Sequence, residues 1–170
     1  MFQSVSFLIL ILGFSTAFSA IPSKIKNKTS FSENALLIEL TGQKLNASEK
    51  DLYAEILEAY QKQDHIGLSA RVQSMQHMYP HGLLIDKAWY LLASYSFEQK
   101  DYAKALTYFD KIIKNHPNSS KVSASYFAKG ITYKSMGLKE VARSVFKKLI
   151  VKYPGSPDSF RAKTELKMMM

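Results

Sequence analysis

The sequence repeats itself every 37 residues, and this period restricts the possible fold more than any other feature. Three X-Pro dipeptides mark it: Tyr79-Pro80, His116-Pro117 and Tyr153-Pro154, for which 117 − 80 and 154 − 117 both equal 37. Shifting the chain by this distance, without any gap, aligns many further positions of similar size and polarity. A fixed period of roughly 20–50 residues with helical periodicity inside each unit is typical of stacked helix pairs.

Five aligned columns hold the apolar residues of the repeat. They are Leu52/Trp89/Tyr126, Ile56/Ala93/Gly130, Leu68/Ala105/Ala142, Val72/Phe109/Phe146 and Met75/Ile112/Leu149. The small residues of the second and third columns predict that the two helices of a pair approach each other closely. The large aromatic side chains of the other columns, Trp89, Tyr126, Phe109 and Phe146, are predicted to fill the core.

Each unit reads as two helices joined by a short turn. In the second unit the pattern predicts helices over 86–98 and 102–114, and Pro117 then prevents continuation. One apolar face is predicted for the second helix of the third unit, comprising Val141, Val145, Phe146, Leu149, Ile150 and Tyr153. Ser156 and Pro157 suit the start of a last helix. The predicted fold is all-α, a right-handed tetratricopeptide-like solenoid of three helix pairs plus a C-terminal capping helix.

The segment before the repeats is typical of an export signal. Residues 5–18 form an apolar stretch too short for a spanning helix, which takes about 20 residues, and the small residues of 17–20 suit signal peptidase. We predict a signal peptide over 1–20, with an uncleaved anchor as the alternative, and a basic leader with a short helix over 21–47. The repeat domain then covers 48–170, with repeats at about 49–85, 86–122 and 123–159 and a cap over 157–170.

Charge and cysteine content narrow the class of protein further. The formal net charge is +9, which favours acidic proteins, anionic membranes or polyanions as partners. The chain has no cysteine, so neither a disulfide framework nor a thiolate nucleophile is available, and lipidation at a lipobox cysteine is not expected. The expected location is therefore periplasmic or secreted, with a signal peptide and not as a lipoprotein.

The amino-acid sequences of the repeats resemble those of known families. The pattern of an aromatic, a small residue, Ala, Phe and a terminal Pro over about 49–165 resembles tetratricopeptide repeats. The segments "DYAKALTYFDKIIKNHPNSSKVSASYFAKG" and "EVARSVFKKLIVKYPGSPDSFRAKTEL" are similar to the C-terminal repeats of the periplasmic Tol-Pal-associated division-coordinator family (YbgF/CpoB), and also to BamD-type outer-membrane assembly repeats. The first resemblance implies a protein that binds Tol machinery and links outer-membrane constriction to peptidoglycan synthesis.

The first helix of each pair in such a solenoid lines its concave groove. Shifting the columns by 37 residues predicts a row of aromatic and apolar side chains along this groove, with Lys50, Lys87 and Arg161 at its edges. This row would bind an extended or helical peptide. Packing of some of these rings against neighbouring helices is the alternative. The predicted groove residues are Tyr53, Leu57, Tyr60, Lys87, Tyr90, Ser94, Phe97, Phe127, Ile131 and Lys134.

The predicted function is that of an exported protein-binding scaffold or adaptor of the bacterial cell envelope. No cofactor, metal, nucleic-acid partner or catalysis is expected: Pro80 separates His77 from His81, and no catalytic or nucleic-acid motif is found. The alternative is a structural or self-associating module whose groove is filled by its own or a neighbour's N-terminal segment. The basic residues Lys139, Arg143 and neighbours suit either peripheral contact with an anionic membrane or a solvated face.

Overall fold

Seven helices follow one another in the part of the chain that the computed structural model describes, residues 47–169. They are α1 (Ala47–Gln61), α2 (His65–Met78), α3 (Ile85–Glu98), α4 (Tyr102–Asn115), α5 (Val122–Ser135), α6 (Lys139–Lys152) and α7 (Pro157–Met168). No strand occurs within these residues, and the predicted all-α fold is confirmed. The predicted signal peptide and the leader, apart from its last residue, lie outside the described residues.

The helices pack as three pairs and a cap. Helices α1 and α2, α3 and α4, and α5 and α6 are each in extensive contact, and α7 packs on both α5 and α6. The first helices of successive pairs also meet directly, α1 with α3 and α3 with α5, and α7 continues this row by packing on α5. Each pair therefore contacts only its neighbours along the row, as in other solenoids.

The turn inside each pair repeats its backbone conformation. Gln63, Lys100 and Gly137 lie 37 residues apart and have φ of 57°, 63° and 79°, the left-handed region that commonly ends a helix. In the first two pairs an aspartate then begins the second helix: Asp64 accepts a hydrogen bond from the Gly67 backbone N–H, and Asp101 does the same one period later. The third pair has Leu138 at this position and no side-chain cap.

The capping helix begins as the sequence predicted. The hydroxyl of Ser156 accepts a hydrogen bond from the Ser159 backbone N–H at 3.1 Å, and Pro157 occupies the first helical position.

The core contains the predicted columns except Leu52, which is only partly buried. Its large members include Ile56, Leu68, Val72, Met75, Trp89, Phe109, Ile112, Tyr126, Phe146 and Leu149, all buried. The prediction that the four aromatic residues of these columns lie in the core is confirmed. Val141 was placed wrongly, since 42% of its surface is exposed. It precedes the buried stripe of Ala142, Phe146 and Leu149 by one residue, which is about 100° around a helix.

Gly130 lets α5 and α6 approach closely. A Cβ atom at this position would overlap the ring of Phe146, and that ring is fully buried and cannot swing aside. The equivalent position in the second pair is Ala93. Glycine, the smallest residue, is therefore required only in the third pair.

A second set of contacts joins one pair to the next through polar side chains that are buried or partly buried. Glu49, Asp86 and Ser123 lie 37 residues apart near the starts of α1, α3 and α5. The Glu49 carboxylate accepts a hydrogen bond from the Leu84 backbone N–H at 2.8 Å, and Ser119 donates its hydroxyl hydrogen to Asp86. In the third pair the direction reverses, because Ser123 donates to a carboxylate, that of Asp158, at 2.8 Å. These polar joints tie the start of each first helix to the chain entering the next one.

Replacing Gly130 by Ala is expected to destabilise the domain by about 1 kcal/mol. The overlap with Phe146 costs about 1–3 kcal/mol, which exceeds the gain of up to about 1 kcal/mol in helix propensity. Chemical denaturation measures the change. Gly155→Ala is the control, because a Cβ there meets nothing within 4 Å. A Gly130→Ala protein more stable than the parent would contradict the close approach.

Replacing Glu49 by Ala is expected to lower the free energy of unfolding by about 1–3 kcal/mol, because it leaves the buried Leu84 N–H without an acceptor. Glu49 is only 4% exposed. The matched control is Glu58→Ala on the same helix, which removes an exposed carboxylate paired with Lys62 and should change stability by less than about 0.5 kcal/mol. Equal losses in the two variants would show that the joint contributes nothing.

Candidate functional site

A pocket of about 360 Å³ lies where α3, α5 and α7 come together. This groove pocket is lined by Tyr90, Ser94, Phe97 and Glu98 of α3, Phe109 of α4, Phe127, Ala128 and Ile131 of α5, and Arg161 and Glu165 of α7. Its volume falls at the lower end of the range of roughly 300–1,000 Å³ found for small-molecule sites. It can therefore receive one or two side chains of a partner, and the rest of the partner would lie along the first helices.

Aromatic rings form the base and one wall of the groove pocket. Phe127 packs on Phe146 with ring centroids 5.7 Å apart and is only 7% exposed, so it contributes a small area to the base. Tyr90 lies against Phe109 in an edge-to-face arrangement at 5.9 Å, and Phe97 lies 5.8 Å from Tyr102. Tyr90 and Phe97 both remain partly exposed. Rings held in this way offer contact area with little loss of side-chain entropy on binding.

Charged groups of both signs surround the apolar base. The guanidinium of Arg161 lies 3.9 Å from the centre of the Phe127 ring and pairs with Asp158 at 3.2 Å. Lys134 pairs with Glu165 at 2.6 Å, which joins α5 to α7 at the edge of the pocket. The arrangement suits an apolar side chain inside and polar or charged groups of a peptide at the rim.

The tyrosine phenols at the groove are kept neutral. Burial, with a smaller contribution from the negative charge of Asp158, raises the pKa of Tyr90 above its usual value of 10.0, and Arg161 and Ser94 partly oppose this. Burial also raises the pKa of Tyr60, whose hydroxyl donates a hydrogen bond to Glu98 at 3.2 Å. Both hydroxyls are therefore hydrogen-bond donors at neutral pH.

The structure brings half of the predicted groove residues together in one pocket. Tyr90, Ser94, Phe97, Phe127 and Ile131 line it. Tyr60 and Lys134 bind two lining carboxylates, those of Glu98 and Glu165. Tyr53, Leu57 and Lys87 do not line the pocket, and Arg161, predicted to edge the groove, does.

Four lining residues were missed by sequence reasoning. Glu98 and Ala128 each directly follow a predicted groove residue, and they lie about 100° further around the helix, outside the predicted rows. Phe109 was assigned to the core, and it is both buried and at the base of the pocket. Glu165 lies on α7, the capping helix, for which the sequence predicted only Arg161 at the edge of the groove.

Residues 47–169 contain no group of three or more His, Asp or Glu side chains placed to hold a metal ion. Within the same range, none of the helices has the length and apolar character needed to cross a bilayer.

Comparison with known proteins gives one family match, which covers the described part of the chain. Residues 45–170 match the model of a family described as YfiO, outer membrane lipoprotein. No curated protein gives a significant match. The match supports the predicted likeness to outer-membrane assembly repeats, and it does not confirm the likeness to the division-coordinator family.

The match overturns one prediction. We expected a chain that is not a lipoprotein, whereas the matching family is one of outer membrane lipoproteins, so this prediction is wrong. It was inferred from the absence of a single residue type, cysteine.

The raised pKa of Tyr90 predicts how stability changes at high pH. Well below pH 10 the phenol is neutral in both the folded and the unfolded chain. As pH rises through 10 towards the higher folded pKa, only the unfolded chain loses its proton, so folding stability falls. Tyr90→Phe is expected to reduce this loss, measured as the shift of the urea midpoint between neutral and alkaline pH. An identical alkaline loss in parent and variant would contradict the assignment.

Proposed function

The chain belongs to the YfiO family of outer membrane lipoproteins, and we propose that it is a cell-envelope adaptor whose groove pocket binds another protein. The family match supports a role in envelope protein assembly. The pocket supports a binding function more than a catalytic one, because its lining is mainly aromatic and apolar.

The convergence of repeat-related residues on one pocket is the observation that carries this proposal. Tyr90 and Phe127 lie 37 residues apart, as do Ser94 and Ile131, yet all four line the same pocket. A repeat protein generates such a site because equivalent positions on neighbouring first helices face the same side. The partner segment is therefore proposed to lie across α3 and α5.

Tyr90 and Phe97 are proposed to supply most of the binding free energy. Few residues of an interface usually dominate its affinity, and aromatic side chains are frequent among them. Both are partly exposed, and both are held by a second ring, Phe109 and Tyr102 respectively. The apolar groups of the partner would pack on these two rings, and its polar groups would meet Arg161 or Glu98 at the rim.

A photo-crosslinking residue in place of Ser94 tests the proposal in cells that make the full chain. Ser94 lines the pocket, so a single envelope protein is expected to be crosslinked there. The same residue in place of Val151, an exposed position on α6, is the control and should not yield that product. Crosslinking to a second copy or within the chain at position 94 would favour the self-associating module instead.

Affinity for the crosslinked partner should then fall in a Tyr90→Ala/Phe97→Ala variant. The loss of two aromatic contacts is expected to weaken binding by at least about tenfold. Phe160→Ala is the matched control, because Phe160 is exposed on α7 and does not line the pocket. Circular dichroism should show unchanged helicity in both. Equal affinity of the double variant and the control would remove the groove pocket from the interface.

A further inference from the structure

The turn between α5 and α6, together with the first turn of α6, differs from the equivalent segments of the first two pairs. Three positions of this segment are mainly polar in the first two pairs and apolar in the third. At these positions the third pair has Met136, where the first two have Lys62 and Gln99; Leu138, where they have Asp64 and Asp101; and Val141, where they have Gly67 and Lys104. We call Met136, Leu138 and Val141 the apolar tip.

The side chains of the apolar tip are exposed to solvent. Met136, Leu138 and Val141 are 41%, 44% and 42% exposed. Single exposed apolar residues are common on protein surfaces. Three lie close together in sequence at the start of α6, whereas the equivalent segment of α2 exposes one large apolar residue, Ile66. Clusters of exposed apolar side chains are typical of interaction surfaces.

Leu138 also removes a stabilising cap. Asp64 and Asp101 each accept a backbone hydrogen bond at the start of the second helix, and α6 has no such bond. A leucine is a poor residue for this position. Local rules of stability tend to be broken where a residue serves function.

Basic side chains without ion pairs accompany the apolar tip. Helix α6 contains five basic residues and one acidic residue, Glu140. Within residues 47–169, exposed Lys139, Lys147 and Lys148 take part in no ion pair, whereas Glu140 is paired with Arg143 at 3.6 Å. The net positive charge of this helix thus remains available to an anionic surface.

We propose that the apolar tip and the lysines of α6 dock on an anionic phospholipid membrane. The tip is a turn between two helices, a shape that suits insertion into the interfacial layer of a bilayer, and the lysines complement anionic headgroups. Proteins of a family of outer membrane lipoproteins are held beside a membrane. A contact that is weak by itself is effective when it acts together with a second membrane attachment. This inference does not depend on the groove pocket.

The lack of native cysteine allows a local test in the full chain. Leu138→Cys is labelled with an environment-sensitive fluorophore and mixed with phosphatidylcholine vesicles, with or without phosphatidylglycerol. Anionic vesicles should increase the fluorescence and shift it to the blue. Met78→Cys is the matched control, being an exposed methionine at the far end of a second helix, and its signal should not change. If Leu138→Cys does not fold, Met136→Cys takes its place.

Two variants separate the contributions of charge and apolar contact. Lys139→Gln/Lys147→Gln should raise the lipid concentration needed for half the signal roughly 25-fold, since each lysine near an anionic surface contributes about fivefold. Leu138→Asp restores the residue of the other two turns. It should abolish vesicle contact, followed through a label at position 136, and raise the melting temperature by about 2–4 °C.

Several results would overturn the membrane proposal. A label at position 138 that does not respond to anionic vesicles shows that the tip does not meet lipid. A blue-shifted signal before vesicles are added shows that another part of the protein or a second copy already covers it. A lower melting temperature for Leu138→Asp shows that the leucine stabilises the fold, and unchanged lipid contact in that variant removes the tip from the docking surface.

Discussion

The contact between neighbouring first helices is the constraint on which the rest of this structure depends. A helix pair alone leaves one apolar face uncovered, and only the next pair in the row buries it. Here α1, α3, α5 and α7 form one continuous row. The apolar columns supply the burial, and the polar joints of Glu49, Asp86 and Ser123 hold the start of each first helix against the next. Because the joints recur at the repeat period, the same register is specified at each interface.

The groove pocket is a consequence of how this row ends. Helix α7 packs on α5 as a further first helix would, and it contributes Arg161 and Glu165 to the edge of the pocket. Arg161 lies against Phe127, and Lys134 pairs with Glu165, so the cap is tied to the pocket by two contacts with α5. A capping helix usually serves to cover an apolar end. In this chain it also completes the candidate binding site.

The third pair combines a tightly packed interior with an exposed apolar turn. Gly130 brings α5 and α6 close together around Phe146, and a few residues later the turn gives up the aspartate cap present in both earlier pairs. Close packing within the pair holds α6 in place without that cap. The proposed membrane contact would therefore involve a helix, α6, whose position is fixed by its buried contacts with α5, while its outer surface takes no part in those contacts.

The sequence by itself determined the repeat, the helices and the core. The 37-residue period places equivalent side chains on equivalent faces, so the buried columns and the cap at Ser156 could be read directly. Only the tertiary structure decided which groove aromatics remain accessible. Phe127 and Tyr90 occupy the same column, yet Phe127 is buried under Arg161, and this depends on how α7 packs. The position of Glu165 in the pocket lining and the hydrogen bond of Glu49 could likewise not be predicted from the sequence. Each depends on a contact with another helix or loop, and local sequence patterns do not indicate which distant segments meet.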